Sequence, residues 1–352
     1  VGGGEYNRAY GYCATIGGGK DNSSYYSWSN IGGGRGNLVN DRWSSVAGGE
    51  NNAVYNDWSG IASGSFNKVY SNYGGVNGGF SNTVYGYTTS IIGGIGTKGY
   101  SSYMTLVNGY LHNAYGTYST MQGFDNYVNG YSASVTGGDS STVLASYAGI
   151  RGASDSYTDS SYASIGGGST NSIVDSTYGV IGGGTTNLIL DSPAACIAGG
   201  AENRIAYGYA GTILGGETHA VGTYYYDDEI LMTEPGSYST VIGVKSNSIA
   251  GHYQTIGGGT TNTISINVKN KRNSEGTSSV IGGGTNNEVS GIGNTVVGGE
   301  HNDAIGQRFS TVLGGFVNTA RANYATVGGG SRNKAYSNFA TVTGGYMNKA
   351  NA

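Results

Sequence analysis

The sequence of 352 residues is poor in charged residues, in proline and in cysteine. Charged side chains make up 11% of it, against about 25% in ordinary globular domains. The net charge is −4 and basic residues form no long run, which excludes the electrostatic footprint of a nucleic-acid-binding protein. No apolar run approaches the ~20 residues needed to cross a bilayer, so we expect no membrane span in this chain.

The sequence is instead rich in glycine and tyrosine, which are arranged in a short repeat. Gly accounts for 68 residues and Tyr for 31. The clearest copies contain two columns with a period of 15 residues, namely Val312, Val327 and Val342, and Asn318, Asn333 and Asn348. A fixed period of this kind predicts a solenoid, in which each repeat is one coil stacked on the last. The strict spacing of Val and Ile excludes a disordered Gly/Ser linker.

Two apolar columns indicate two short strands in each coil. We number each repeat from its recurring Val or Ile, which we call position zero. Thr120 takes this position in the coil between those of Leu106 and Val135. A second apolar column follows at position +8, and small residues recur at position −2. Gly, and Asn at +6, tolerate positive φ and predict a turn in which stacked Asn side chains hydrogen-bond along the stack. The sequence therefore predicts an all-β fold, one continuous parallel β-solenoid (β-roll) of about 22 coils over residues 1–352.

An aromatic column recurs at position −3, on the predicted outer surface. It supplies a candidate contact surface, made of Trp28, Trp43, Trp58, Tyr73, Tyr103, Tyr324 and Phe339. Three roles remain open for it: a subunit interface, a shield over the face of a monomer, or a surface that binds sugar rings. An exposed apolar stripe of this length is unusual on a free monomer, which favours self-association. A Ser/Thr column at position −1 also faces outward.

Two insertions interrupt the repeat, at about residues 223–237 and 266–278. Both follow a +8 residue, so they should emerge on the same edge of the solenoid, two coils apart. Insertions in solenoids often carry partner contacts. The first is acidic and the second basic, and we expect the two to contact each other. Their candidate contact residues are Asp227, Asp228, Glu229, Lys269, Lys271 and Arg272.

Residues that carry chemistry are scarce. Cys13 and Cys196 lie many coils apart in the predicted solenoid, too far for a disulfide. The four histidines fall in separate coils without the spacing of a metal site. The glycine runs lack the Lys-Ser/Thr of a phosphate loop, and the calcium-binding GGxGxD repeat does not recur. We therefore expect no enzymatic activity, no cofactor and no metal.

The repeat resembles the head repeat of YadA-type trimeric autotransporter adhesins, and it is also similar to β-rolls of phage and viral fibres. The matching segments run Ser45-Val46-x-Gly48-Gly49 to Asn52, and Thr326-Val327-x-Gly329-Gly330 to Asn333. The resemblance implies a left-handed roll and three chains packed side by side. The present repeat is slightly longer, and its Gly-rich Asn turn and aromatic column depart from the family pattern. Coiled-coil heptads and a membrane anchor are not found in this chain.

These observations predict an extracellular or cell-surface rod, either a fibre shaft or an adhesin head. Few Lys and Glu with many Tyr, Ser, Thr, Asn and Gly suit an exported protein. The expected partners are other copies of the chain, as a trimer or an end-to-end fibre, and a cell-surface glycan or matrix. The alternative is a virion tail fibre or tailspike that binds, rather than cleaves, host glycans.

Overall fold

A computed structural model shows an all-β protein, a parallel β-solenoid of about 21 coils with a repeat of about 15 residues. The structure describes the backbone of residues 1–227, 230–234, 237–265 and 278–351, and the side chains of all these except the strands at 223–227 and 230–234. The predicted fold class is confirmed. The coils form two compact units, Val1–Gly167 and Gly168–Ala352, and a single domain over the whole chain stays a prediction.

Most coils of the first unit contribute one strand to each of two parallel sheets, and most strands are two residues long. Sheet A holds position zero and its strands are Thr15–Ile16, Asn30–Ile31, Ser45–Val46, Gly60–Ile61, Gly75–Val76, Ser90–Ile95, Thr105–Tyr110, Thr120–Phe124, Ser134–Asp139, Gly149–Arg151, Ala153–Ser154 and Ser164–Ile165. Sheet B holds position +8 and its strands are Arg8–Ala9, Ser23–Ser24, Leu38–Val39, Ala53–Val54, Lys68–Val69, Thr83–Val84, Lys98–Gly99, Asn113–Ala114, Tyr127–Val128, Thr142–Val143 and Tyr157–Thr158.

The second unit repeats this arrangement. Its sheet A consists of Gly168–Ser169, Val180–Ile181, Cys196–Ile197, Thr212–Ile213, Thr240–Val241, Thr255–Ile256, Val280–Ile281, Thr295–Val296, Thr311–Val312, Thr326–Val327 and Thr341–Val342. Its sheet B consists of Ser172–Val174, Leu188–Leu190, Arg204–Ala206, Ala220–Val221, Ser248–Ile249, Thr263–Ser265, Glu288–Ser290, Asp303–Ala304, Thr319–Ala320, Lys334–Ala335 and Lys349–Ala350. In both units, equivalent residues of successive coils pair in register, as Val312 does with Val327 and Val327 with Val342.

The core is a thin layer between the two sheets. The Val and Ile side chains of position zero and position +8 are fully buried, as in Ile16, Val39, Val46 and Ile61. The small residues of position −2, such as Ser44 and Ala325, are buried beside them. Because the layer is thin, β-branched and small side chains fill most of it, and Leu106 and Met121 take position zero in two coils.

Each coil turns its corners with residues in the left-handed conformation. The aromatic position −3 is one of them, since Trp28, Trp43, Trp58 and Tyr73 have φ between +56° and +63°. At this corner the backbone N–H bonds to the preceding coil, as Tyr103 N–H does to the Tyr87 carbonyl at 2.9 Å. Strand residues bond to the following coil, as Gly17 N–H does to the Ile31 carbonyl at 2.9 Å. The aromatic column therefore lies in a turn and does not continue sheet A by strand alternation.

One position of the predicted register is wrong. Sheet A pairs Leu106 with Met121 and Met121 with Val135, and Met121 is fully buried while Thr120 faces outward. Thr120 falls at position zero when the spacing to Asn126 and Val128 is kept the same as in the other coils. The coil that starts at Met121 is one residue shorter than the usual repeat, and the structure shortens the turn between sheet A and sheet B to match. Shortening this turn costs less free energy than exposing Met121 and burying Thr120.

Candidate functional site

The second turn of each coil, which leads from sheet B back to sheet A, carries a continuous stack of rings. Trp28 and Trp43 stack with ring centroids 5.0 Å apart and planes within 2°, and Trp43 and Trp58 stack at 5.2 Å and 5°. Tyr73 continues the stack at 6.3 Å. Because identical backbone positions repeat at the strand spacing of about 4.8 Å, rings in one column are held in parallel contact.

The stack is unbroken in the first unit because tyrosines fill the coils in which position −3 is small. Cys13, Thr88 and Ser132 occupy the left-handed corner of three coils, and in each the preceding residue is tyrosine. The ring of Tyr87 lies edge-on between Tyr73 and Tyr103, at 5.4 and 5.9 Å. We call the resulting stack of eleven rings the aromatic ladder; its members are Tyr12, Trp28, Trp43, Trp58, Tyr73, Tyr87, Tyr103, Tyr118, Tyr131, Tyr147 and Tyr162.

The second unit carries shorter stacks at the same turn. Tyr238 and Tyr253 stack at 5.2 Å, and Tyr324 and Phe339 stack at 4.9 Å with planes within 2°. Phe309 extends the latter pair at 5.6 Å from Tyr324. The predicted residues Tyr324 and Phe339 therefore lie on an equivalent stack in the second unit, while the other five predicted aromatic residues belong to the aromatic ladder.

In the tryptophan run of the aromatic ladder the rings are stacked face to face. Both faces of Trp43 are covered by neighbouring rings. A sugar ring binds an aromatic side chain through the ring face, so Trp43 offers no platform for it. The edge of an aromatic ring carries the positive part of its quadrupole, and it packs well against the faces of other rings or against hydrogen-bond acceptors.

The exposed area of the aromatic ladder is large. Trp28, Trp43 and Trp58 are each about half exposed, as are the interior tyrosines of the ladder. With about 100 Å² exposed per ring, the stripe offers on the order of 1,000 Å² of aromatic surface. The largest apolar patch of a typical monomer is about 300–600 Å², and a standard interface buries about 800 Å² per partner.

Sequence reasoning missed a second column of rings, at position +9 on the outer face of sheet B. We call it the tyrosine ladder; it consists of Tyr55, Tyr70, Tyr85, Tyr100 and Tyr115. A period of 15 in these tyrosines is visible in the sequence and could have revealed them. Tyr118 was missed for another reason, since the misplaced Thr120 shifted position −3 to Thr117.

The outer face of sheet A is almost free of charge. Its outward positions −1 and +1 hold Gly, Ala, Ser, Thr, Val, Leu and a few other neutral residues, and among the described residues Arg151 is the one charged side chain there. Leu214, Val297 and Leu313 are about half exposed on this face. Sheet B differs, because its outer face carries charged side chains such as Lys68, Lys98, Glu288 and Lys334. Burial beside Glu288 raises the pKa of the Asp303 carboxyl on that face.

The first insertion is a hairpin. Thr223–Asp227 pairs antiparallel with Ile230–Glu234, with Thr223 opposite Glu234 and Asp227 opposite Ile230. It leaves sheet B after Val221, at the turn that carries the aromatic rings in other coils, as expected from the sequence. Asp228, Glu229, Lys269, Lys271 and Arg272 lie outside the described residues, as does the predicted contact between the two insertions.

Two histidines replace asparagine in the buried +6 column. In most coils, the amide of Asn binds across coils: Asn52 accepts from Asn67 N–H at 3.0 Å and donates to the carbonyls of Gly48 and Gly64 at 3.1 and 2.7 Å. His112 and His219 accept instead through Nδ1, from Asn126 N–H and Asn247 N–H, each at 3.1 Å. Burial lowers the pKa of both imidazoles. The predicted hydrogen bonding of the Asn column along the stack is confirmed.

The described residues hold few groups that suit catalysis or metal binding. Cys13 and Cys196 are free thiols, and burial raises the pKa of Cys196. No cluster of three or more His, Cys, Asp or Glu side chains able to hold a metal ion occurs in the described part of the chain. That part also contains no helix long and apolar enough to cross a membrane.

Comparison of the chain with known protein families and with curated proteins finds no match. The resemblance to trimeric autotransporter heads and to viral fibres therefore rests on the repeat pattern and the solenoid fold alone.

Proposed function

We propose that this protein is a non-enzymatic structural and adhesive element, a fibre shaft or adhesin head that acts at a cell surface or outside the cell. It associates with further copies of itself, as a trimer or an end-to-end fibre. The observation that carries this proposal is the aromatic ladder, about 1,000 Å² of half-exposed rings in one stripe. Within each unit, backbone hydrogen bonds between neighbouring coils supply the stiffness that a structural element requires.

The even spacing of the rings favours a second copy of the chain as the partner. A second aromatic ladder offers half-exposed rings at the same spacing, so two ladders can bury their exposed area against each other. The outer face of sheet A, on which Arg151 is the one charged side chain among the described residues, offers further contact area at little cost of desolvating charges.

Sedimentation equilibrium tests the proposal. The triple variant Trp28→Asn, Trp43→Asn and Trp58→Asn removes three rings, and asparagine tolerates the left-handed conformation of these corners. We expect the wild-type protein to be oligomeric and the variant to dissociate at least tenfold more readily. Phe66→Asn is the matched control, since Phe66 is also exposed with φ of +58° but lies on the opposite turn. A monomeric wild-type protein, or equal dissociation in variant and control, contradicts the proposal.

A glycan-binding virion fibre or tailspike is the second proposal. Its support is a polar strip in the second turn of the first unit, between the two ladders, where Asp41, Asn56 and Asp57 offer hydrogen-bond partners for sugar hydroxyls. Binding of a panel of polysaccharides by calorimetry tests it, with Asp57→Ala as the variant. Affinity that falls tenfold or more in Asp57→Ala supports this function, and no binding by the wild-type protein contradicts it.

A further inference from the structure

The tyrosine ladder holds phenol rings of neighbouring coils in parallel contact. The centroid distances are 4.7 Å for Tyr55 and Tyr70, 5.2 Å for Tyr70 and Tyr85, 5.1 Å for Tyr85 and Tyr100, and 4.3 Å for Tyr100 and Tyr115. Every one of these pairs is parallel to within 6°. The ladder is therefore a run of four close phenol pairs.

The backbone maintains this geometry. Tyr55 N–H donates to the Val69 carbonyl at 2.9 Å, and Tyr70 N–H donates to the Val84 carbonyl at 2.8 Å. Each ring thus starts from an equivalent, hydrogen-bonded position one strand spacing from the next. Burial and the adjacent Tyr70 raise the pKa of Tyr55, and burial and the adjacent Tyr100 raise that of Tyr115. In both cases the neighbouring phenol group contributes to the shift.

We propose that the tyrosine ladder is a site of oxidative modification, at which phenols of neighbouring coils couple to form dityrosine. A one-electron oxidant, such as a haem peroxidase using hydrogen peroxide, removes one electron and the hydroxyl proton from each of two tyrosines. The two phenoxyl radicals join through a carbon–carbon bond between ring positions ortho to oxygen, and each ortho proton moves to its oxygen. One hydrogen peroxide accepts the two electrons and two protons and becomes two water molecules.

The position of the ladder suits this reaction. Tyr70, Tyr85 and Tyr115 are 36%, 45% and 38% exposed, so an external oxidant reaches them while the partner ring stays in contact. A bond between neighbouring coils closes a loop of 15 residues, and such a cross-link restricts the unfolded chain as a disulfide does. A coil joined in this way cannot separate from its neighbour. The proposal does not depend on self-association or on glycan binding.

Peptide mapping after treatment with horseradish peroxidase and hydrogen peroxide tests the proposal. Trypsin cleaves after Arg42, Lys68 and Lys98, and the peptide 43–68 contains Tyr55 as its one tyrosine. A cross-link between peptides 43–68 and 69–98 therefore reports on Tyr55. We expect this cross-linked pair in the wild-type protein, together with dityrosine fluorescence.

Two matched variants identify the partner of Tyr55. Tyr70→Phe keeps the stacked ring but removes the phenol, so the cross-linked pair should fall at least tenfold. Tyr73→Phe changes a tyrosine of the same peptide that stacks on Trp58 in the aromatic ladder, and it should leave the pair unchanged. An equal yield in wild type and Tyr70→Phe, or a loss in Tyr73→Phe, overturns the assignment.

A mixture of unlabelled and nitrogen-15-labelled protein separates links within a chain from links between chains. The proposal requires cross-linked pairs in which both peptides carry the same label. In an equal mixture, coupling between separate molecules gives mixed labels in about half of the pairs, and that result would overturn the proposal. The oxidised wild-type protein should also unfold at least several-fold more slowly in guanidinium than oxidised Tyr70→Phe protein.

Discussion

Each position of the repeat has a well-defined structural role in this protein, because every coil places the same position in the same environment. The corner residues illustrate this: tryptophan and tyrosine adopt φ near +60° at position −3, a conformation that costs non-glycine residues roughly 1–2 kcal/mol. Stacking and backbone hydrogen bonds between coils offset that cost. The same regularity allows neighbouring residues of one turn to serve as controls for each other.

Gly48 and Gly49 form such a pair. Gly49 has φ of +99°, and a Cβ there would collide with the Gly64 carbonyl and lie 2.6 Å from the Asn52 amide nitrogen. A Cβ on Gly48 would meet nothing within 4 Å. We expect Gly49→Ala to destabilise the protein by about 2–4 kcal/mol and Gly48→Ala by less than about 1 kcal/mol, measured by urea unfolding. Equal losses would show that the turns repack freely.

The buried histidines predict a pH dependence of stability. Protonation of His112 or His219 would place a proton on Nδ1, which faces the N–H of Asn126 or Asn247. Their pKa values are lowered in the folded state, and burial is the main cause. The histidine pKa in the unfolded chain is 6.5. As the pH falls below this value, the unfolded chain binds more protons than the folded one, so the free energy of unfolding decreases. Above this pH the contribution of the two histidines to stability is fully present.

The double variant His112→Asn and His219→Asn should reduce this dependence. Asparagine restores the side chain found in most other coils, and it also removes the buried Nε2 of each imidazole, which has no hydrogen-bond partner. Urea midpoints compared between about pH 7.5 and 5.5 measure the change. If the variant loses as much stability as the wild type over this range, the two histidines are not its source.

At the scale of the element, the stacked column is the unit of stability rather than the strand. Most strands have two residues and could not persist alone. The Asn column compensates, because each amide ties two consecutive coils: Asn52 accepts from Asn67 of the next coil and donates to the backbone of its own coil and of the next one. The ring ladders join the coils in the same way at the second turn.

Asn52→Ala should therefore be severe. It removes one buried acceptor and one amide group that donates two hydrogen bonds, and it leaves the Asn67 N–H without its partner. We expect a loss of about 3 kcal/mol or more in the free energy of unfolding. Asn129→Ala is the matched control, since Asn129 is exposed on the outer face and should change stability by less than about 0.5 kcal/mol. Similar losses in the two variants would contradict the role of the column.

At the scale of the whole molecule, each unit is a stack in which a coil contacts its immediate neighbours. Such arrays tolerate insertions in their turns, because the inserted residues leave the stacked strands unchanged. The hairpin after Val221 is an example: Thr212 pairs with Thr240 and Ala220 with Ser248 on either side of it. We therefore expect the hairpin to be dispensable for the fold.

Deletion of residues 223–235 should preserve the second unit. It restores the seven-residue spacing between position +8 and the next position zero that Ile249 and Ile256 show, and it keeps Tyr238 at the corner. We expect an unchanged circular dichroism spectrum and a thermal midpoint within a few degrees of the wild type. Loss of β-structure on deletion would show that the hairpin supports the stack.

The sequence alone determined the coil: its two strands, the inward Val and Ile, the Asn turn and the outward Ser/Thr. These follow from local periodicity, which a chain with a short repeat displays in full. Only the tertiary structure decided where a coil that is one residue short is shortened, as in the turn after Met121. The choice depends on which side chain the neighbouring coils can bury. The tertiary structure also decided that Tyr12, Tyr87 and Tyr131 close the gaps in the aromatic ladder. Ring contacts join residues of different coils, and their spacing in the sequence does not reveal in which direction each ring points.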